Sequence, residues 1–384
     1  MYLGDTIRGV AAGLFGIFAP VYLFGIFRDA GVGVPVAAVF LYYAVFWFLA
    51  TVGMYHAVKY YSRLGFRTII FLAFGALAAH VVALALAAEG VAWLGLALIF
   101  GAAFSALFWP AYHMAFARAA TEGRKAAAVG TRAALFRLGG IVSPLIGGMI
   151  IMRYGFPVLF MLMLGLLLLA AIPYATIEMR DGHRGGVRPL LREFRRNHGG
   201  RAAAAFAADG ATIILAADAW PLFLVMIGVS FSGLGAIATV AALAAVTALF
   251  WFGRLADRVD RGKLLHGSSF AYMGGWVLRV FSVGIFSAFI AETVASLAGG
   301  LSAIPRDAYS YDRVGGERDP HQQVHLVLFR EISLNAGRIL GALVIAGLVL
   351  LGVELRWVLL LGIPTALLAP LVIPWGTAAA DRKL

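Results

Sequence analysis

The chain has 384 residues, of which 62% are hydrophobic and only 13% are charged. Soluble domains carry about 25% charged residues, so one water-soluble core cannot bury this much apolar surface and lipid must be its solvent. The formal charge of +12 suits a membrane protein with basic cytoplasmic loops, and nucleic acid is not an expected partner. The chain contains no Cys, which excludes disulfides and thiolate metal sites.

A spanning helix needs about 20 mostly apolar residues, and the sequence predicts an all-α, polytopic membrane protein with twelve of them. No small-residue cleavage site follows the first one, so we interpret it as a membrane helix and not as a signal peptide. The division between the ninth and tenth has little punctuation, at Ser287 and Ala288. The predicted spans are 5–27, 35–58, 67–88, 91–117, 128–152, 156–176, 203–228, 232–252, 264–286, 288–305, 325–352 and 356–375.

The connections after the even-numbered spans are basic, and those after the odd-numbered spans are short and carry few charges. Of the 31 Lys and Arg residues, 25 fall on the side of the even connections and three on the opposite side, and the other three lie inside spans. The positive-inside rule therefore predicts that both termini are cytoplasmic. We expect a multi-pass protein of the cell membrane.

The longest connection, 177–202, divides the chain into an N-terminal half, 1–176, and a C-terminal half, 203–384. Apolar residues at 190, 191 and 194 suit a short basic helix on the membrane surface, and a solvated linker is the alternative.

The two halves repeat each other at similar offsets. A shift of 201 places Arg8 on Asp209, and a shift of 198 places Arg132 on Arg330. Together these offsets predict two pseudo-symmetric six-helix halves with a site near the midplane between them.

Two motifs give the chain a resemblance to the major facilitator superfamily of transporters. The segment from Gly253 to Lys263 reads GRLADRVDRGK, which resembles the family's G-x-L-A-D-R-x-G-R-K loop signature with Asp260 in place of a Gly. The segment from Gly139 to Gly148 reads GGIVSPLIGG, which resembles the family's antiporter motif G-x3-G-P-x2-G-G with Ser143 in place of one Gly. The resemblance implies a secondary transporter whose cavity is lined by spans 1, 4, 7 and 10.

The loop signature indicates a gate. We expect the Asp257 carboxylate to meet the positive N-terminal end of the fifth helix, with Arg132 as a charge partner; a turn that anchors basic residues to lipid is the alternative. The glycine and proline run of the fifth helix either controls leakage, as in the family, or is small-residue packing. The gating candidates are Gly253, Asp257, Arg258, Arg132, Arg330, Glu331, Gly139, Pro144, Gly147 and Gly148.

Two arginines are predicted near the midplane, Arg137 about 14 Å and Arg338 about 18 Å from the cytoplasmic face. Either buried carboxylates neutralise them, or a carboxylate or phosphate of the solute does. Asn335 lies on the polar face of the same helix as Arg338. Trp109, Tyr112 and His113 resemble a cavity lining, and a structural role at the helix end is the alternative for His113.

Acidic residues inside spans are costly and usually functional. Asp218 and Glu292 lie on cavity helices of the resembled fold and are candidates for proton coupling, with a static pair to an Arg as the alternative. Arg279 requires a structural partner that the sequence does not identify.

The sequence therefore predicts a proton-coupled transporter of a small solute, anionic or zwitterionic, that works by alternating access. The antiporter motif favours export over an uptake symporter. The sequence also leaves open a lipid flippase and a non-transporting receptor or assembly factor. No enzyme motif is found, and we expect a monomer with no cofactor and no metal.

Overall fold

The computed structural model describes residues 2–57, 60–119, 140–175, 192–195, 198–256, 260–317 and 319–377, and these residues are helical apart from short turns. Helices satisfy every backbone hydrogen bond within the segment, as an apolar solvent demands. Nine of the described helical segments are long and apolar enough to cross a membrane.

The helices are numbered here in chain order. They are α1 Tyr2–Phe15, α2 Ala19–Asp29, α3 Pro35–Ala57, α4 Tyr61–Leu86, α5 Trp93–Ala119, α6 Ser143–Ala175, α7 Gly199–Ile214, α8 Trp220–Met226, α9 Phe231–Ala256, α10 Arg261–Val280, α11 Ile285–Gly315, α12 Pro320–Leu350, α13 Leu355–Val358, α14 Gly362–Leu367 and α15 Ile373–Thr377.

Proline deforms the helix just upstream at corresponding places of the two halves. The 3-10 turn Gly16–Phe18 precedes Pro20, and the π turn Leu215–Ala219 precedes Pro221. Proline lacks an N–H and clashes with the carbonyl four residues earlier, so the helix cannot run through unchanged. These deformed turns join α1 to α2 and α7 to α8.

Glycines with positive φ end helices at one end of the bundle, which we call the turn end. They are Gly31, Gly155, Gly228 and Gly352, with φ between 75° and 90°. Contacts of Phe156 with Tyr22 and of Arg356 with Phe223 bring these turns to the same end. Gly155 interrupts α6 at the predicted boundary between the fifth and sixth spans.

The predicted boundary between the ninth and tenth spans, at 287 and 288, was wrong by several residues. α10 ends at Val280 and α11 begins at Ile285. The Ser287 hydroxyl, predicted to lie in the break, instead accepts hydrogen bonds from the Val283 and Gly284 N–H groups at the start of α11. α11 also continues past the predicted end at 305, through Pro305.

Helix packing follows one pattern in both parts of the chain. α1 packs on α6 and α7 on α12, while α4 packs on α5 and α10 on α11. Small residues allow the first two contacts, because a Cβ on Gly147 would collide with the Leu14 carbonyl and one on Gly337 with the Ala207 carbonyl. Between the two sets, α3 packs on α12 and α6 on α9.

Residues 192–195 of the linker are helical and dock on the protein. Glu193 is buried, and its Oε1 accepts hydrogen bonds from Trp375 Nε1 at 2.9 Å and Arg313 Nη2 at 3.2 Å. Phe194 contacts Phe329 at a ring distance of 4.8 Å. This part of the linker is therefore held by α11, α12 and α15 through Glu193 and Phe194.

Candidate functional site

A chain of ion pairs joins three helices and reaches a fourth. Asp209 on α7 pairs with Arg306 on α11 at 2.6 Å, and Arg330 on α12 pairs with Asp307 at 3.6 Å and with Glu331 at 2.6 Å. Arg306 Nε also lies 3.9 Å from Asp307. The predicted gating residues Arg330 and Glu331 therefore belong to one network.

The network reaches His113 of α5. Its Nε2 lies 3.5 Å from Glu331 Oε1, and its ring stacks on Trp109 with a centroid distance of 5.7 Å. This contact connects the N-terminal part of the chain with α12.

A second polar cluster surrounds Asp5, which is 1% exposed. Its carboxylate accepts hydrogen bonds from the hydroxyls of Tyr112 at 2.6 Å and Tyr174 at 2.7 Å, and from Arg8 at 3.2 Å. The Arg8 guanidinium also lies over the Trp109 ring at 5.1 Å. Tyr112 and Trp109, predicted as cavity lining, are thus held by a buried aspartate and arginine of α1.

Arg338 lies where α12 packs on α3. Its guanidinium stands 4.0 Å above the centre of the Trp47 ring, and its Nη1 donates to Asn335 Oδ1 at 2.8 Å. Three donors here are buried without an acceptor among the described residues: Arg338 Nε, Asn335 Nδ2 and Trp47 Nε1. The Tyr43 hydroxyl lies beside them and faces Asp218. Burial of unpaired donors is costly, so this cluster, which we call the donor pocket, is prepared for an acceptor.

Asp218 borders the donor pocket from the π turn Leu215–Ala219. Its carboxyl group is 9% exposed and faces the Tyr43 hydroxyl, with Arg338 in electrostatic range. Asp209, Asp307 and Glu331 are all within 4 Å of an Arg nitrogen, whereas Asp218 makes no ion pair with any residue in the described part of the chain. π turns are frequent at functional sites because they displace a side chain from the regular helix.

Glu292 has a different environment. Its Oε2 accepts from Arg279 Nη2 at 2.6 Å, and its Oε1 accepts from Ser296 at 2.9 Å. The Arg279 guanidinium is 2% exposed and lies 4.3 Å from the Trp276 ring and 5.2 Å from the Trp220 ring. Glu292 is thus the partner that Arg279 required.

The glycine and proline run of α6 makes close backbone contacts. A Cβ on Gly148 would collide with the Phe231 carbonyl of α9, and one on Gly235 of α9 with the Pro144 carbonyl. The rings of Phe231 and Phe18 also pack edge to face, with a centroid distance of 6.1 Å. α6, α9 and α1 are therefore tightly packed toward the turn end.

Three solved structures resemble this arrangement over almost the whole chain. The E. coli fucose:proton symporter FucP, solved as a single-residue variant, aligns with a TM-score of 0.66 and 17% identity, over 98% of this chain and 96% of that one. A major facilitator superfamily transporter, FucP, in the outward conformation, gives a TM-score of 0.68 with 14% identity over 98% and 97%. The human organic anion transporter MFSD10 gives 0.69 with 14% identity over 97% of each chain.

The chain has the major facilitator fold. At these identities the likeness establishes the fold and not the solute. In sequence, no family model and no curated protein matches the chain. All three structures named above are of transporters.

Several predicted residues of this major facilitator fold lie outside the described residues: Arg132, Arg137, Gly139, Asp257 and Arg258. Gly253 is helical, near the end of α9. In the ranges that the structure describes, no three His, Asp or Glu side chains form a metal site.

Sequence reasoning missed the α3 side of the donor pocket, because Tyr43 and Trp47 look like ordinary lipid-facing aromatics of an apolar helix. Their spacing of four residues places them on one face, but only the packing on α12 shows that this face is polar. It also missed Asp5, although the spacing of Asp5 and Arg8 on one helix face was a usable signal.

Proposed function

We propose that this protein is a secondary transporter that moves a small solute by alternating access, coupled to protons. Of its structural neighbours, one is named a fucose:proton symporter and one an organic anion transporter. The observation that carries the coupling is Asp218, a buried carboxylate beside the donor pocket that makes no ion pair in the described part of the chain.

The organisation we propose is two six-helix halves, 1–176 and 203–384, joined by the linker 177–202. The glycine turns support it, since Gly31 and Gly228 are 197 residues apart, as are Gly155 and Gly352. Three of these turns share one hydrogen-bond pattern, in which the residue after the glycine donates to the carbonyl five residues earlier. The equivalent packing of α1 on α6 and α7 on α12 is further support. Alternating access then rocks one half against the other at the α3–α12 and α6–α9 contacts.

We propose that the protein lies in the cell membrane, with the turn end outside and both termini in the cytoplasm. Basic residues are concentrated in the connections at the opposite end, and such residues remain in the cytoplasm.

We propose that the coupled proton binds Asp218 and not Glu292. A carboxylate that gains and loses a proton during transport must be able to exist without a permanent counter-charge. Glu292 is held by Arg279 at 2.6 Å, whereas Asp218 is close to Arg338 without contacting it as an ion pair.

The direction we propose is uptake with a proton. One structural neighbour is named a fucose:proton symporter, which supports this direction. The motif of α6 makes backbone packing contacts with α9 and α1, which fits its role in packing, and the export that it favoured stays the alternative. The ion pairs of α7, α11 and α12 make this part of the protein polar. They therefore fit a polar solute better than the acyl chains that a lipid flippase would move.

An untargeted transport assay tests this function. Proteoliposomes are incubated in a cell metabolite extract, with and without a pH gradient that is acidic outside, and mass spectrometry measures what accumulates beyond protein-free vesicles. We expect one compound or a small class to accumulate with the gradient, and Asp218→Asn to abolish the effect of the gradient. Asp312→Asn is the matched control, because that carboxylate is 59% exposed and pairs with Arg261 at the surface.

No accumulation beyond protein-free vesicles would contradict the proposed uptake and favour the receptor or assembly-factor alternative. Accumulation that ignores the gradient, or that keeps its dependence on the gradient in Asp218→Asn, would remove Asp218 from the mechanism.

A further inference from the structure

The donor pocket contains a surplus of hydrogen-bond donors. Within the described ranges, Arg338 Nε, Asn335 Nδ2 and Trp47 Nε1 are buried without an acceptor, and Asn335 as a whole is 1% exposed. Arg338 contacts the other two residues, since its Nη1 donates to Asn335 Oδ1 and its guanidinium lies over the Trp47 ring. A ligand that completes this pocket must therefore present acceptors, and the guanidinium favours an acceptor that carries negative charge.

The charge of the pocket limits the ligand to one negative charge. Arg338 is the only guanidinium that the described residues place in the donor pocket, because Arg306 and Arg330 are already paired with carboxylates. A phosphate, with a charge of about −1.5 to −2 at neutral pH, would bring more charge than one arginine balances. A carboxylate brings one charge and two oxygens, which match adjacent N–H donors of a guanidinium.

Asp218 is the carboxylate that borders the donor pocket. Asp218 lies on the π turn Leu215–Ala219, and this turn faces α3 and α12. It also packs against the turn Gly16–Phe18, the turn Leu359–Leu361 and α2. Neither turn has a titratable side chain. On α2, the Tyr22 hydroxyl donates to the Leu84 carbonyl, and Arg28 and Asp29 pair with each other at the exposed end. Only Tyr43 and Arg338 therefore face Asp218 with titratable or charged groups among the residues that the structure describes.

We infer that the solute is a monocarboxylate, bound by Arg338, Asn335 and Trp47 together with one proton on Asp218. The inference rests on the proposed transport function. Glu331 and Asp209 act on the charge of Arg338 as well as Asp218, so with Asp218 ionised a further anion would leave the apolar interface with an uncompensated charge, which is prohibitively costly. When a proton binds a carboxylate oxygen of Asp218, the solute carboxylate can bind and accept from Arg338 Nε–H and from Asn335 Nδ2–H. The proton offsets the charge of the solute, so one proton and one anion move together without net charge.

Binding to the purified full-length protein in detergent tests the inference. The probes are pairs of a carboxylic acid and its primary amide, namely propionate with propionamide, lactate with lactamide and benzoate with benzamide, measured by tryptophan fluorescence and by thermal shift. We expect at least one carboxylate to bind, more tightly as the pH falls, with uptake of one proton for each anion bound, and its amide not to bind.

Arg338→Gln should weaken carboxylate binding about tenfold or more, since hydrogen bonds to charged groups are strong. Arg338→Lys keeps the charge and loses the Nε donor, so it should also bind weakly while it remains folded. Asp218→Asn mimics the protonated acid, and should bind carboxylate without proton uptake and without dependence on pH. Arg28→Gln is the matched control at an exposed arginine, with unchanged binding.

The metabolite assay separates failure of this inference from failure of the proposed function. If the accumulated compound is uncharged or cationic, and Arg338→Lys transports it normally, the monocarboxylate inference is wrong while proton-coupled transport stands. Accumulation of a carboxylate that responds to a membrane potential at fixed pH would also overturn the inference, because it contradicts neutral co-transport. If nothing accumulates, the transport function fails first.

Discussion

Replacement of Glu292 by Gln tests whether this acid is structural or couples a proton. Arg279 is 2% exposed, and its Nε and Nη1 have no partner among the described residues, so the 2.6 Å contact with Glu292 is its main compensation. Removal of one member of a buried ion pair costs about 3–5 kcal/mol. Gln keeps a carbonyl acceptor and Trp276 keeps its cation–π contact, so we expect the lower end, about 3 kcal/mol.

The assay is a double-mutant cycle on purified protein, with unfolding measured for Glu292→Gln, Arg279→Gln and the double variant. The double variant removes both charges, so it should be clearly more stable than the sum of the single losses predicts. In proteoliposomes, Glu292→Gln should keep its dependence on the pH gradient in whatever transport activity it retains. Additive losses, or a single loss within about 0.5 kcal/mol of wild type, would refute the structural role, and loss of the gradient effect alone would return Glu292 to the coupling mechanism.

Three further predictions concern packing, gating and orientation. Gly148→Ala should slow transport and lower thermal stability, because the added Cβ would collide with the Phe231 carbonyl. Gly165→Ala is the control on the same helix and should behave like wild type, since the described residues leave open space around that position. Equal behaviour of the two variants would contradict the packing role of Gly148. Asp257→Asn should reduce transport strongly at normal expression, because we expect this carboxylate to stabilise the N-terminal end of the fifth predicted helix and so to form a gate; wild-type transport rates in this variant would contradict that gate. The chain has no Cys, so single cysteines can report orientation. Lys263→Cys lies near the start of α10 and Val283→Cys just beyond its end. An impermeant thiol reagent should label only Val283→Cys in intact cells, and labelling of Lys263→Cys alone would invert the proposed orientation.

The elements of the fold were largely predictable from the chain, because lipid imposes a simple requirement on sequence. Long apolar stretches must be helical, and Gly155 and Pro221 mark a break and a deformation where the residue type alone forces them. The break before α11 was misplaced because its signal is a hydrogen bond from the backbone to Ser287, which composition does not reveal.

The candidate site was predictable only in part. Arg338, Asn335 and Asp218 were identifiable because polar side chains inside a span are costly and need a reason. Their sequence positions do not say which of them are satisfied. Glu292 and Asp218 look alike in the sequence, yet one is paired with Arg279 and the other makes no ion pair in the described ranges.

The sequence by itself determined that long stretches of this chain are apolar enough to cross a membrane, and which charged residues lie within them. Only the tertiary structure decided which donors lack an acceptor, because Trp47 and Arg338 come from helices almost 300 residues apart. Hydropathy depends on each residue alone, whereas hydrogen-bond satisfaction depends on neighbours that packing brings together.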